Sequence, residues 1–176
     1  QKKGVHFMRG TESTIINRFE TVEYSAFDDG WDTPIGELPV IQTQFFTDNA
    51  KSILFKNDSP DVGMAYSINM YRGCEHGCSY CRARPYHEYL GFNSGIDFES
   101  KIMVKHDAPR LLRKAFDDKK WRPQSIMMSG NTDCYQPAER KYRLTRQLLE
   151  VFLEYRNPVS ILRKNALILR ELDLLK

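Results

Sequence analysis

Cys74, Cys78 and Cys81 lie in the run Met70-Tyr71-Arg72-Gly73-Cys74-Glu75-His76-Gly77-Cys78-Ser79-Tyr80-Cys81. They follow the spacing CxxxCxxC and make up three of the chain's four cysteines. Soft thiolates this close in sequence suit an iron-sulfur cluster or zinc, because several sulfurs can reach one metal centre without a long loop to order. A cube of four irons takes four ligands, so three thiolates leave one iron open to a water, a substrate or a cofactor. The competing metal reading is a structural zinc site, with His76, His87 or Cys134 joining the three thiolates. Zinc modules usually draw a second ligand pair from a distant knuckle, and the sequence holds no second CxxC. Gly73 and Gly77 suit a loop that turns sharply and brings backbone close to a cluster.

The elements that must carry this loop are read from the rest of the chain. At 176 residues and 41% hydrophobic content, one domain with a buried core is expected. No apolar run approaches the roughly 18 residues of a membrane span, and the first twenty residues lack the basic-then-apolar order of a signal peptide. We therefore expect a cytoplasmic protein with no membrane partner, in a reducing compartment where clustered cysteines are metal ligands rather than a disulfide. The chain starts at Gln1 and stops at Lys176, just after a helical pattern, so a fragment is expected.

Charge is uneven. Residues 1–60 hold six Lys and Arg against nine Asp and Glu, and the remainder twenty against fourteen, concentrated from Lys101 to Lys164. Such a distribution fits a polyanionic partner such as DNA through counterion release. No basic run exceeds two residues, so an ordinary solvated helix face fits as well. Trp31 and Trp121 are candidates for stacking on bases or for plain packing.

Residues 1–60 keep no period and contain Gly4, Gly10, Gly30, Pro34, Gly36, Pro39 and Pro60, which predicts a loop-rich N-terminal segment with brief strands at Ile41–Phe46 and Ser52–Phe55. Residues 61–176 read as the core. Tyr66–Tyr71 predicts a strand running into the cysteine loop, and Lys101–Lys105, Ser125–Met128 and Val159–Leu162 predict three more. A short helical piece is expected at Tyr86–Leu90. Asp107 reads as the cap of a helix with Pro109 in its first turn and Leu111, Leu112, Ala115 and Phe116 at helical spacing. A long helix from Pro137 shows Leu144, Leu148, Phe152 and Tyr155 as one buried stripe, ended by Asn157-Pro158, and a last helix starts at Ala166. Alternating strands and helices with short links predict an α/β fold of parallel strands, either a barrel or an open sheet. In both, ligands sit at the carboxyl ends of the strands. The cysteine loop, the loop Ser129–Asp133 and the turn at Lys164 should then meet on one face.

The CxxxCxxC spacing with Tyr80 before the last cysteine resembles the radical S-adenosylmethionine enzymes. The runs Arg72–Cys78, Ala83-Arg84-Pro85, Asp97-Phe98-Glu99, Gly130–Asp133, Tyr135-Gln136-Pro137 and Leu172–Leu175 are similar to its spore photoproduct lyase-like branch, often labelled DNA repair photolyases. The likeness runs from about Arg9 to Lys176. It implies a partial (β/α) barrel, incomplete at the C-terminus. It also implies a [4Fe-4S] cluster on Cys74, Cys78 and Cys81, with S-adenosyl-L-methionine on the open iron. An electron donor such as flavodoxin or ferredoxin, and a DNA lesion as substrate, complete what it implies. Tyr80 would lie against the adenine, Asn131 and Asp133 would make polar contacts to the cofactor, and Lys164 would pair with its carboxylate. Position 82 is Arg where relatives often carry Tyr, and Gly130 stands where the lyase has a hydrogen-donating cysteine. Cys134 is the one nearby candidate for that donor. For Asp133 and Lys164 the alternatives are a turn cap and a solvated amine. The alternative of another class is a non-catalytic zinc or iron-sulfur module that binds nucleic acid.

Overall fold

In a computed structural model, residues 17–19, 42–58 and 63–175 are described. Their strands are Gln44–Thr47 (β1), Leu54–Lys56 (β2), Tyr66–Ile68 (β3), Tyr71–Arg72 (β4), Lys101–Val104 (β5), Ile126–Met128 (β6) and Val159–Ile161 (β7). The α-helices are Ile96–Ser100 (α1), Ala108–Phe116 (α2), Glu139–Tyr142 (α3) and Leu144–Glu154 (α4), with 3-10 helices at Arg84–Leu90 and Ala166–Glu171.

The expected (β/α) barrel is not the architecture. The strands form two mixed sheets, one of three strands in the order β1-β5-β4 and one of four in the order β2-β3-β6-β7. Parallel pairing holds for β3 with β6, β6 with β7 and β1 with β5, whereas β2 with β3 and β4 with β5 run antiparallel. The barrel expectation fails where one long strand was read from Tyr66 to Tyr71. The chain leaves the four-stranded sheet at Asn69-Met70 and enters the three-stranded one. The Ile68 carbonyl accepts from the Ser129 amide at 3.1 Å, while that of Met70 accepts from the Lys105 amide at 3.0 Å. The strand Lys101–Val104 therefore neighbours β1 and β4 and not β3.

The core lies between these sheets and the helices. Ile68, Met70, Ile102, Val104, Ile126 and Met128 are fully buried beneath Leu112 of α2 and Leu148 of α4, and α2 packs on α4. On α4 the stripe Leu144, Leu148 and Phe152 is buried, with Tyr155 half-buried beyond its end.

The long helix expected from Pro137 is broken in two at Arg143, whose φ is +52°. Glu139 accounts for the break. Its carboxylate accepts from the amides of Leu144 at 3.1 Å and Thr145 at 2.8 Å, so it caps α4 from one turn before. Asp107 makes no side-chain cap on α2; it pairs instead with Arg110 at 2.7 Å in solvent. The pieces at 84–90 and after Ala166 are 3-10 rather than α-helices. Trp31 and the Gly and Pro residues cited up to Pro39, with Pro60, lie outside the described residues, as does Ile41.

Candidate metal and cofactor site

Strand β4 delivers the cysteine loop, and Gly73 makes the delivery possible. Its φ is +80°, and a β-carbon there would stand 2.9 Å from the Phe98 carbonyl oxygen and 3.0 Å from that of Lys101. Only a residue without a side chain fits that turn without displacing backbone. The amide of Cys74 then donates to the Phe98 carbonyl at 2.9 Å.

Two side chains pin the loop from outside. Arg84 donates to the Cys78 carbonyl at 2.9 Å, to those of Ser94 and Gly95 at 3.1 and 3.0 Å, and to the buried carboxylate of Glu99. Gln136 donates to the Gly73 carbonyl at 3.2 Å and accepts from the Glu75 amide at 3.0 Å. A ring of charge-assisted and amide bonds of this kind supports the loop's shape from outside.

The thiols differ in surroundings. Cys74 is buried and packs with Cys81, Ala83 and Phe98. Burial pushes its pKa up to about 12, against the pull of the His76 and Asp133 backbone amides. Cys78 is half-buried and receives the Lys164 ammonium at 3.0 Å. Among the described residues, no three His, Cys, Asp or Glu side chains are gathered tightly enough to hold one metal ion. The three thiols nevertheless share one short loop with two left-handed glycines, Gly73 and Gly77, and as soft donors they fit iron-sulfur or zinc chemistry.

Lys164 is where separate segments meet. Its amine also hydrogen-bonds the Tyr80 hydroxyl and lies 4.5 Å from the centre of that ring, while its amide donates to Asp133 Oδ2 at 2.6 Å. The hydrogen bonds to Cys78 and Tyr80 hold the lysine's pKa above its ordinary value. Asp133 also accepts from the Tyr135 amide at 2.7 Å, the turn-capping geometry, and stands 3.9 Å from His76 Nδ1. Cys78, Tyr80, Asp133 and Lys164 are therefore brought together from three loops.

The other expected residues are placed apart from that group. Asn131 is fixed through its amide, which donates to Asn69 Oδ1 at 2.9 Å, and it lines a neighbouring cavity. Cys134 is fully buried in the main core; its amide donates to Ser129 and its carbonyl accepts from Thr145, and burial raises its thiol to about 12. His87 is stacked against Phe92 and Phe98, and burial lowers its pKa to about 4. Trp121 packs on Tyr66 and Phe116 and donates to Asn157, which is a core role.

Sequence alone gives Arg84, Glu99 and Gln136 no individual role. The only signal for them is that the runs Ala83-Arg84-Pro85, Asp97-Phe98-Glu99 and Tyr135-Gln136-Pro137 carry the family likeness. Their function here is to shape the thiol loop.

No protein-family model matches the chain, and no solved structure matches it. An uncharacterized protein of Mycobacterium tuberculosis is 42% identical over 110 residues, which is 62% of this chain and 32% of that protein. One of Methanocaldococcus jannaschii is 35% identical over 120 residues, covering 68% of this chain and 43% of its own. One of Acidianus two-tailed virus is 26% identical over 119 residues, covering 65% and 39%. The chain thus spans about a third of the length of the mycobacterial relative. Among the described residues, no helix is long and apolar enough to cross a membrane.

Proposed function

We propose that this chain carries the radical-generating site of a radical S-adenosylmethionine enzyme. Cys74, Cys78 and Cys81 would hold a [4Fe-4S] cluster, and S-adenosyl-L-methionine would bind beside it. The cofactor pair, when bound, supplies reductive cleavage of the sulfonium and a carbon radical that takes a hydrogen atom from substrate. The protein's part is to bind, orient and shield. Arg84 and Gln136 keep the thiol loop in shape. Lys164 is the cation for the cofactor's carboxylate, Tyr80 the surface for its adenine, and Asn131 and Asp133 supply polar contacts. Electrons would come from a flavodoxin- or ferredoxin-like donor in a reducing cytoplasm, and a DNA lesion is the substrate that the lyase-like runs favour.

The observation that carries this reading is the meeting of Lys164 with Cys78 and Tyr80, across 86 and 84 residues of sequence. A lysine serving only as a solvated surface charge has no need to sit on a thiol and a phenol. The test is anaerobic reconstitution with iron and sulfide, then electron paramagnetic resonance of the reduced protein with and without S-adenosylmethionine. A four-iron signal that changes on adding the cofactor is the expected result. Zinc binding with no iron signal would overturn it and leave a metal-stabilised binding module.

A further inference from the structure

Beside the thiol loop lies an open cavity of about 550 Å³, within the range of small-molecule sites. Arg72, Arg82 and Lys105 line it, and among the described residues no Asp or Glu does. Tyr86 and Tyr89, both largely exposed, supply an aromatic wall.

Lys105 is the unusual member. It is 2% exposed, yet no carboxylate among the described residues lies within ion-pair distance of its amine. Its Nζ donates to the Asn69 carbonyl at 2.8 Å and lies 4.9 Å from the centre of the Phe55 ring. The acid that acts on it most, Asp48, is already engaged by Arg72 at 2.8 Å. Burial, reinforced by Arg72, draws the amine's pKa down to about 8 against the pull of Asp48. A buried cation held by one carbonyl and one ring face is under-compensated, and an incoming anion with several acceptor oxygens would restore the balance.

We propose that this cavity is a phosphate-binding subsite in which Lys105 anchors the phosphate of a phosphorylated substrate. Lys105 and Arg82, with Arg72 beside them paired to Asp48 and no carboxylate among the described lining residues, favour a dianion over a single carboxylate. Arg82 is held at the rim by its bond to the Gly130 carbonyl at 3.1 Å, and Arg72 lies on the Asp48 side. The subsite requires no cluster; it shares Asn131 with the proposed cofactor contacts, and the comparison with S-adenosylmethionine separates the two.

The test is protection of Lys105 from reductive methylation by formaldehyde, followed by peptide mass spectrometry. The whole chain is treated at about pH 8, where this amine is partly neutral. Inorganic phosphate and adenosine 5′-monophosphate are the probes; sodium chloride at equal ionic strength, acetate and S-adenosylmethionine are the comparisons. Phosphate or the nucleotide should slow modification of Lys105 several-fold and leave the exposed Lys119 and Lys120 unchanged. Equal rates in phosphate and chloride would overturn the proposal. So would protection by acetate or S-adenosylmethionine without protection by phosphate. In calorimetry, Lys105→Arg should keep phosphate binding and Lys105→Met should lose it. Should Lys105→Met fail to fold, the wild-type protection decides alone.

Discussion

Arg84 shows how one side chain can set the geometry of a site it does not enter. Its guanidinium satisfies three backbone carbonyls and the fully buried Glu99 carboxylate, and it lies over the Phe98 ring at 5.1 Å. Removing it takes the guanidinium from a buried carboxylate, and breaking a buried ion pair typically costs about 3–5 kcal/mol. Arg84→Met should lower stability on that scale in urea denaturation, and pairing it with Glu99→Leu should recover part of the loss. A variant as stable as the wild type would show that the pair is not holding the loop. The cysteines separate by surroundings in the same way. Under the proposed function, Cys78→Ala should remove cluster iron and cofactor cleavage together, because that thiol is a proposed ligand and sits in the group with Tyr80, Asp133 and Lys164. Cys134→Ala should leave iron content unchanged, because that thiol is in the main core; iron loss on analysis of that variant would reassign a ligand.

At the scale of elements, the junction between α3 and α4 depends on Glu139. Its carboxylate accepts from Tyr71 Oη at 2.5 Å as well as from the two amides that begin α4. Burial raises its pKa to about 7, although those hydrogen bonds and the Arg170 charge favour ionisation. A carboxyl whose folded pKa lies above its unfolded value of about 4.3 contributes stability that is complete below the unfolded pKa. That contribution is lost as pH rises through the folded value. Measured stability should therefore fall between about pH 4.5 and 7 relative to Glu139→Gln, by at most about 1.4 kcal/mol per pH unit. Identical pH profiles for the two proteins would remove Glu139 as the source. This junction also marks a limit of sequence reading. The stripe Leu144, Leu148, Phe152 is legible because apolar residues at helical spacing must share a face. The break at Arg143 is not legible, since nothing local announces that a carboxylate four residues earlier captures the next amides. Likewise the meeting of the cysteine loop with Asp133 and Lys164 follows from loops at strand ends. The clamp of Arg84 on Glu99 requires knowing which buried charges face each other.

Over the whole molecule, the barrel expectation failed because strands of two to four residues carry no period that says which neighbour they join. What joins the two sheets is the short passage through Asn69. Its carbonyl takes the Lys105 amine at 2.8 Å, and its side-chain oxygen takes the amides of Asn131 at 2.9 Å and Thr132 at 3.4 Å. The flanking carbonyls of Ile68 and Met70 serve one sheet each. Asn69 thus ties β6's loop, the end of β5 and the cavity wall to a single backbone turn. Asn69→Ala keeps the carbonyl and removes the side-chain acceptor, leaving two amides to find water. The expected loss of global stability is about 1–3 kcal/mol. Hydrogen exchange should locate it, with the amides of Asn131 and Thr132 accelerated beyond the global loss and those of β1 and β5 only by that loss. Uniform acceleration across both sheets would mean that Asn69 stabilises the fold generally and does not couple the loop to the sheets. Localised acceleration would make the cavity wall and the loop before Asp133 one mechanical unit, tied through the Asn69 side chain.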